Sequence, residues 1–130
     1  MAKERTEADA KVQGAANRAL LEIVLPPIRS AARNQGYAVA VHGSLNRDID
    51  LIAVPWREGA MNADSLIDKI SGAVTGAVGS CLKQGDSWTE KPHGRKAITL
   101  LVYCGQNYMQ IDLSVMPTLK PLPPPPQETK

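Results

Sequence analysis

Residues 42–51, HGSLNRDIDL, hold a Gly-Ser pair, an arginine and two carboxylates between two apolar runs. Side chains two positions apart share one face of a β-strand, so a strand here would present Asp48 and Asp50 together. Neighbouring carboxylates repel each other unless a cation lies between them, and Mg²⁺ is held by such oxygens together with substrate phosphates. Gly43 lets a phosphate approach the backbone beside Ser44. The segment predicts a site for Mg²⁺ and phosphate; the alternative is a hairpin whose acids are only solvated.

A third carboxylate, Asp112, lies in a later segment with the same alternation. Along residues 108–116, one face would carry Gln110, Asp112 and Ser114, and the other Ile111, Leu113 and Val115. If this strand and the one that carries Asp48 and Asp50 are neighbours in one sheet, the three carboxylates converge on one face. Helices must then cover the apolar face.

The N-terminal part of the chain predicts two helical segments. Apolar residues recur at steps of three and four from Thr6 onward, which is typical of an amphipathic helix. Pro26-Pro27 predicts that this helix ends or kinks near Leu25, with a short second segment over 28–35 capped by Gly36. The predicted apolar stripe consists of Ala8, Val12, Ala15, Ala16, Ala19, Leu20, Ile23 and Val24.

The rest of the chain predicts two hairpins and one further helix. The first hairpin pairs residues 37–41 with 51–54, and the second pairs 97–103 with 108–116. Between them, a helix begins after Asn62 or Asp64 and runs to about Leu82, its three glycines allowing close approach to the sheet, and a polar loop follows over 84–94. We therefore predict an α+β domain: a mixed, mainly antiparallel sheet of four to five strands with two to three helices on one face.

Several isolated side chains allow two interpretations each. Trp56 either covers the edge of the core or stacks on a base. Arg47 reaches a phosphate or pairs with Asp48. The cluster His93, Arg95 and Lys96 either clamps phosphate or is a solvated basic loop. His42 is a general base, a group that contacts the nucleobase, or a neutral histidine bonded beside the turn.

Composition limits the class of protein. The 130 residues predict one domain over 1–116, followed by a Pro-rich tail over 117–130 that is extended and either solubilises the chain or docks on a partner. A net charge of +2, an aromatic content of 4% and the absence of Phe argue against nucleic-acid binding through bulk charge or stacking platforms.

Cys81 and Cys104 predict buried thiols in a reducing compartment. Without a signal peptide or an apolar run of membrane-spanning length, we expect a cytoplasmic protein with no membrane partner.

Gly43-Ser44, the Asp48-Ile49-Asp50 triplet and Asp112 on a later strand resemble the nucleotidyltransferase superfamily typified by DNA polymerase beta. The chain is most similar to minimal prokaryotic members and to small phage and prophage proteins, over roughly residues 37–116. The resemblance implies transfer of a nucleotidyl group from a nucleoside triphosphate to an unknown acceptor. It implies that Gly43 and Ser44 bind the triphosphate, that Asp48 and Asp50 hold two Mg²⁺ ions, and that Asp112 helps to hold the ion that activates the attacking hydroxyl.

Two departures from that family leave a second function open. Only residues 45–47 separate Ser44 from Asp48, where the family has a longer segment with a short helix that adds anion affinity. No separate domain selects the base or positions the acceptor, so a protein partner or a second copy of the chain would supply it. The alternative is a catalytically degenerate nucleotide-binding or protein-binding accessory protein of phage origin.

Overall fold

Two helices, five strands and one short 3-10 turn follow one another in the computed structural model, which describes residues 4–105 and 107–119. The elements are, in chain order, α1 (Glu7–Gln35), β1 (Tyr37–His42), β2 (Ile49–Pro55), α2 (Ala63–Val78), β3 (Leu82–Glu90), the 3-10 turn (Pro92–Gly94), β4 (Lys96–Cys104) and β5 (Asn107–Val115).

The five strands form one mixed sheet in the order β1-β2-β5-β4-β3. The pair β2–β5 is parallel, and the other three pairs are antiparallel. The predicted α+β class, with a mainly antiparallel sheet of four to five strands, is confirmed. The two predicted hairpins are also present, as β1–β2 and β4–β5. Because the second hairpin returns beside β2, the strands that carry Asp50 and Asp112 are direct neighbours.

The core lies between the two helices and one face of the sheet. Alternate side chains of the strands point into it, and both helices contribute their buried faces to the same cluster, as predicted. The other face of the sheet carries the polar side chains of β2 and β5. The largest fully buried side chains are Tyr37, Leu20, Ile28, Ile49, Leu51, Leu66, Ile67, Ile70, Leu100, Ile111, Leu113 and Val24.

Helix α1 is a single helix, so the prediction of two segments separated at Pro26-Pro27 is wrong. Each proline removes an intrahelical hydrogen bond and costs roughly 3 kcal/mol in a helix interior. The carbonyls left without a donor belong to Glu22 and Ile23, whose residues are exposed, so water can satisfy them. Burial of Val24 and Ile28 on either side holds the two halves in one line.

The ends and the buried face of α1 were predicted with mixed success. Thr6 forms a capping box with Asp9, and Gly36 ends the helix with a φ of 94°, as its glycine predicted. The predicted apolar stripe is displaced, since Val12 and Ile23 are exposed. The buried positions are Gly14, Asn17, Leu20, Leu21, Val24, Ile28, Ala32 and Gln35.

Helix α2 begins at its cap Asn62, whose side chain accepts a hydrogen bond from Ser65 N at 2.8 Å, and it ends before Gly79 rather than at Leu82. The prediction that its glycines allow close approach to the sheet is wrong. A Cβ added to Gly72 or Gly76 would meet no atom within 4 Å, and Gly79 serves as the left-handed cap. Gly72 and Gly76 therefore carry the entropic cost of glycine in a helix with no packing benefit.

Replacing Gly72 and Gly76 with alanine is expected to stabilise the protein. Each substitution lies in an exposed helix interior, where alanine is favoured over glycine by roughly 0.5–1 kcal/mol. The double variant Gly72→Ala/Gly76→Ala should raise the free energy of unfolding measured with urea by about 1–2 kcal/mol. No change, or a loss of stability, would contradict the expectation that both added methyl groups lie in open space.

Residues 84–94 were predicted as a polar loop, and this prediction is wrong for most of the segment. Strand β3 covers Leu82–Glu90 and pairs with β4, with an irregularity in register between Gln84 and Thr89. An edge strand has one free side and accepts polar residues there, so its sequence lacks the apolar alternation of a central strand. Only residues 91–95 remain outside β3 and β4, and they include the 3-10 turn.

Three smaller predictions concern isolated residues and the tail. Trp56 does not cover the core, because 53% of its surface is exposed. Cys81 and Cys104 are free thiols, partly rather than fully buried. Residues 117–119 have no regular secondary structure, and the rest of the predicted Pro-rich tail, 120–130, lies outside the described residues. Within the described part of the chain, neither helix combines the length and the apolar character needed to cross a membrane.

Candidate active site

The register of the sheet places the predicted carboxylates together. Asp50 on β2 lies directly opposite Asp112 on the parallel strand β5, and Asp48 precedes β2 by one residue. The same register line continues outward in both directions, since His42 pairs with Asp50 and Thr99 pairs with Asp112. All of these side chains lie on the face of the sheet that the helices do not cover. A row of polar groups therefore crosses the open face with two carboxylates at its centre.

The pKa values of Asp48 and Asp50 are both raised above the ordinary carboxyl value. Burial raises the pKa of Asp48, the charges of Asp112 and Asp50 raise it further, and the nearby charge of Arg47 lowers it. Burial also raises the pKa of Asp50, as does the charge of Asp112, while His42 lowers it. A hydrogen bond with Asp112 raises both pKa values by favouring the protonated form. Asp112 is thus the common partner of the other two groups.

Thr99 fixes the orientation of that common partner. Its Oγ1 donates a hydrogen bond to Asp112 Oδ1 at 2.8 Å from the neighbouring strand β4. Thr99 was not among the predicted site residues. The predicted hairpin of 97–103 with 108–116 places one residue of 97–103 opposite Asp112. The sequence does not define the register that makes this residue Thr99.

The Gly43-Ser44 turn touches the carboxylate cluster directly. Gly43 has a φ of 80°, a conformation that favours glycine, and a Cβ added there would lie 2.9 Å from Asp50 Oδ2, so the Asp50 carboxylate would have to shift. The hydroxyl of Ser44 accepts a hydrogen bond from Asn46 N at 3.2 Å. The turn predicted to bind phosphate therefore lies against the predicted metal ligands.

Helix α1 holds this turn in place. Asn17, which is fully buried, donates from Nδ2 to the carbonyl of Leu45 at 2.7 Å, and Arg18 donates from Nη2 to the carbonyl of Ser44 at 3.2 Å. Leu45 has a φ of 66°, an unfavourable conformation for a branched residue that the Asn17 contact helps to maintain. Gly14 lets the loop approach closely, since a Cβ there would lie 2.6 Å from Asn46 Oδ1.

This role of α1 was not predicted. A signal existed in the helical periodicity, since Gly14 and Asn17 continue the buried stripe of Leu21 and Val24 toward the N-terminus. A small residue and a polar residue on a buried stripe indicate a close backbone contact and a buried hydrogen bond, respectively. The shortened segment between Ser44 and Asp48 is thus supported from outside by a helix that precedes it in the chain.

A cleft of about 550 Å³, lined by Asp50 and Asp112 but not by Asp48, extends toward the far end of β5. Arg95 lines it and donates from Nη1 to Ser114 Oγ at 3.3 Å, two residues along the strand from Asp112. Lys91 lines the same cleft and was not predicted. One end of the cleft is therefore acidic and the other basic, a distribution suited to a ligand that carries both phosphates and a metal ion. Its lining also includes His42, Asp50, Gln84, Thr89 and Thr99.

The other predicted cations are not brought into this cleft. Lys96 is exposed and lines a separate small pocket together with Val115 and Pro117. Arg47 is exposed and adjacent to Asp48, and in the described part of the chain no ion pair within 4 Å joins the two. His93 is exposed in the 3-10 turn with a φ of 68°. Of the predicted phosphate-binding cations, Arg95 alone lines the cleft.

The donor set at the carboxylate cluster suits Mg²⁺, which prefers oxygen ligands. Asp48, Asp50 and Asp112 supply carboxylate oxygens only, and the repulsion between them is the kind that a bound cation relieves. Among residues 4–105 and 107–119, no group of three or more His, Cys, Asp or Glu side chains is arranged so that it could hold a metal ion. The carboxyl groups instead share hydrogen bonds through Asp112, which a cation would replace.

Comparison with known proteins adds no relatives. No known protein-family description matches this chain, and no curated protein shows significant sequence similarity to it.

Proposed function

We propose that the protein is a Mg²⁺-dependent nucleotidyltransferase that moves a nucleotidyl group from a nucleoside triphosphate to an acceptor hydroxyl. The observation that carries this proposal is the convergence of Asp48, Asp50 and Asp112 on the open face of the sheet beside the Gly43 turn. The site is open to solvent along a cleft large enough for a mononucleotide. We also propose that the protein acts in the cytoplasm.

In this reaction the acceptor oxygen forms a bond to the α-phosphorus of the triphosphate while the bond to the bridging oxygen breaks. Pyrophosphate leaves, and the hydroxyl proton passes to the carboxylate cluster or to water. Mg²⁺ bound by Asp48, Asp50 and Asp112 would stabilise the negative charge on the attacking and leaving oxygens. Thr99 keeps the Asp112 carboxyl oriented, and the Gly43 turn allows a phosphate to approach the backbone.

The cations of the cleft have a role that needs no metal. Arg95 presents a guanidinium anchored on Ser114, and Lys91 adds a second charge near it. Both would attract a phosphate on the acceptor or on the nucleotide. The guanidinium of Arg95 can bind phosphate oxygens with two parallel hydrogen bonds, and the ammonium of Lys91 acts as a point charge.

A second function rests on the structure of the Gly-Ser turn. Residues 43–48 contain no helix. The turn thus lacks the helix N-terminus that increases affinity for anions. A chain of this kind would bind a nucleotide or a protein without catalysing transfer, as an accessory protein of phage origin or as one part of a complex with a partner or a second copy.

Calorimetric titration with a non-hydrolysable nucleoside triphosphate, with Mg²⁺ and with EDTA, tests the proposal. We expect binding by the wild type that requires Mg²⁺ and that is lost in Asp48→Asn/Asp50→Asn. The matched control Asp68→Asn/Glu22→Gln removes two exposed acids far from the cleft and should bind like the wild type. Binding that ignores the metal and the double substitution, or no binding by the wild type, would contradict the transferase and favour the accessory protein.

A further inference from the structure

A second cavity, of about 410 Å³, lies between the C-terminal half of α1 and the free edge of strand β1. Its position is distinct from the carboxylate cleft. Trp56, which lines it, follows Asp50 by six residues along β2, a separation of about 20 Å. The lining consists of Arg29, Arg33, Tyr37, Ala38, Val39 and Trp56.

Trp56 is exposed at this cavity, yet it is held in a defined position. Its backbone N–H donates to the carbonyl of Gly36 at 3.0 Å, which ties it to the end of α1. The guanidinium of Arg57 lies over its ring, 5.5 Å from the centroid. The core does not require this side chain, because 53% of its surface is exposed. An indole supported on one side and open elsewhere is suited to stacking against another planar ring.

Two arginines of α1 supply positive charge to the same cavity. Arg29 and Arg33 are four residues apart and thus lie on one face of the helix. Arg29 donates from Nε to the carbonyl of Val39 at 3.1 Å, which directs its guanidinium along the edge of β1. In the described part of the chain, no carboxylate lies within 4 Å of either arginine. The sequence has no acidic residue from Ile23 to Arg47, and Glu58, two residues after Trp56, is the nearest acid that follows it.

We infer that this cavity binds a phosphorylated nucleoside, with the base stacked on Trp56 and the phosphate held by Arg29 and Arg33. The ligand is either a free nucleotide or the terminal residue of a single-stranded nucleic acid. A single exposed tryptophan provides room for one base, and the volume fits one nucleotide. This binding needs neither Mg²⁺ nor the carboxylates, so it goes beyond the proposed transfer reaction and does not depend on it.

The chain has two tryptophans, so Trp88→Phe leaves Trp56 as the only indole reporter. Its fluorescence would be measured in EDTA during titration with adenosine 5′-monophosphate, adenosine, inorganic phosphate and a 5′-phosphorylated tetra-adenylate. We expect quenching by the monophosphate and the oligonucleotide, and about tenfold weaker binding of adenosine, because it lacks the charge-assisted hydrogen bonds to the arginines. Tighter binding of the oligonucleotide identifies a strand terminus as the ligand, and equal binding identifies a free nucleotide.

Matched variants separate this site from general electrostatics. Arg33→Gln should weaken binding of the monophosphate about tenfold. Lys69→Gln, which removes an equal charge from an exposed position on α2, should not change it. Asp48→Asn/Asp50→Asn should also leave it unchanged, so failure of the transferase proposal would not affect this result.

Because Trp88 Nε1 donates to Asp64 Oδ1 at 2.7 Å, Trp88→Phe could lose stability. A calorimetric titration of Trp56→Ala, with Trp88 intact, provides a second measurement, and heat of binding should be lost. Three results would overturn the inference: no response to the monophosphate and the oligonucleotide at millimolar concentration, equal losses in Arg33→Gln and Lys69→Gln, or unchanged binding by Trp56→Ala.

Discussion

Replacing Asp112 with asparagine is expected to stabilise the protein in EDTA and to abolish its stabilisation by a nucleoside triphosphate with Mg²⁺. In EDTA at neutral pH, the thermal midpoint should rise by about 2–5 °C, because a repulsive charge leaves the carboxylate cluster. Wild-type protein with the magnesium complex at about 100 times its Kd should gain about 2.7 kcal/mol, or about 10 °C. The variant should gain little, since it has lost a ligand to the metal.

The reason lies in the position of Asp112 between the other two acids. Its charge and its hydrogen bond raise the pKa of both Asp48 and Asp50. An asparagine keeps an oxygen that accepts the Thr99 hydrogen bond, so the local structure should persist. Differential scanning fluorimetry in the two buffers therefore separates a change in charge from a change in fold.

The pH dependence of stability tests the same repulsion between the carboxylates. Because the pKa values of Asp48 and Asp50 are raised on folding, the folded chain binds more protons than the unfolded chain between the ordinary carboxyl pKa of about 3.9 and the raised values. The free energy of unfolding in EDTA therefore falls as the pH rises from about 4 through those values. In Asp112→Asn this fall should be smaller, since the raising charge is absent.

The control is Asp68→Asn, which removes an exposed acid that forms a surface ion pair with Lys83 at 3.3 Å. Such a pair contributes about 0–1 kcal/mol, so its loss should lower stability slightly and equally in both buffers. If Asp112→Asn behaves in the same way, the three carboxylates do not act as a cluster and do not hold a cation.

Features of this arrangement that depend on local pattern can be predicted from the sequence. Features that depend on which distant segments pair cannot. The alternation around Asp50 and Asp112 predicted two strands with acidic faces, because a period of two is local information. That these two strands are neighbours does not follow from the sequence, because local pattern does not specify which strands pair. The glycine at position 36 predicted the end of α1 because only its backbone conformation was needed.

Two of the wrong predictions share a physical cause, which is that packing at a distance overrides local preference. Pro26 and Pro27 break a helix on their own, yet buried side chains on both sides of them keep α1 continuous. The polar sequence of β3 has little strand character, yet pairing with β4 supplies its hydrogen bonds. Likewise, the helical periodicity places Asn17 on a buried stripe, but it does not identify the partner of Asn17, which is the carbonyl of Leu45, 28 positions away.

Gly43 is a position at which a single methyl group should change both stability and ligand binding. Its φ of 80° costs a residue with a side chain roughly 1–2 kcal/mol, and the added Cβ would lie 2.9 Å from Asp50 Oδ2. We expect Gly43→Ala to lower the free energy of unfolding by about 2–3 kcal/mol, the sum of backbone strain and displacement of the carboxylate. Because Asp50 must move, affinity for the magnesium complex of the triphosphate should fall at least about tenfold, or 1.4 kcal/mol.

Gly79→Ala separates the backbone contribution from the steric one. Gly79 also has a positive φ, of 94°, but a Cβ there would meet no atom within 4 Å, and the residue caps α2 away from the cleft. It should therefore lose about 1–2 kcal/mol of stability and keep its full affinity for the triphosphate. Urea unfolding and calorimetry on the two variants measure both quantities.

If Gly43→Ala loses no more affinity than Gly79→Ala, the turn is a structural link between β1 and β2, and contact between its backbone and Asp50 has no part in ligand binding. If only Gly43→Ala loses affinity, the close contact between the Gly43 backbone and Asp50 is what sets the position of the Asp50 carboxylate for the ligand.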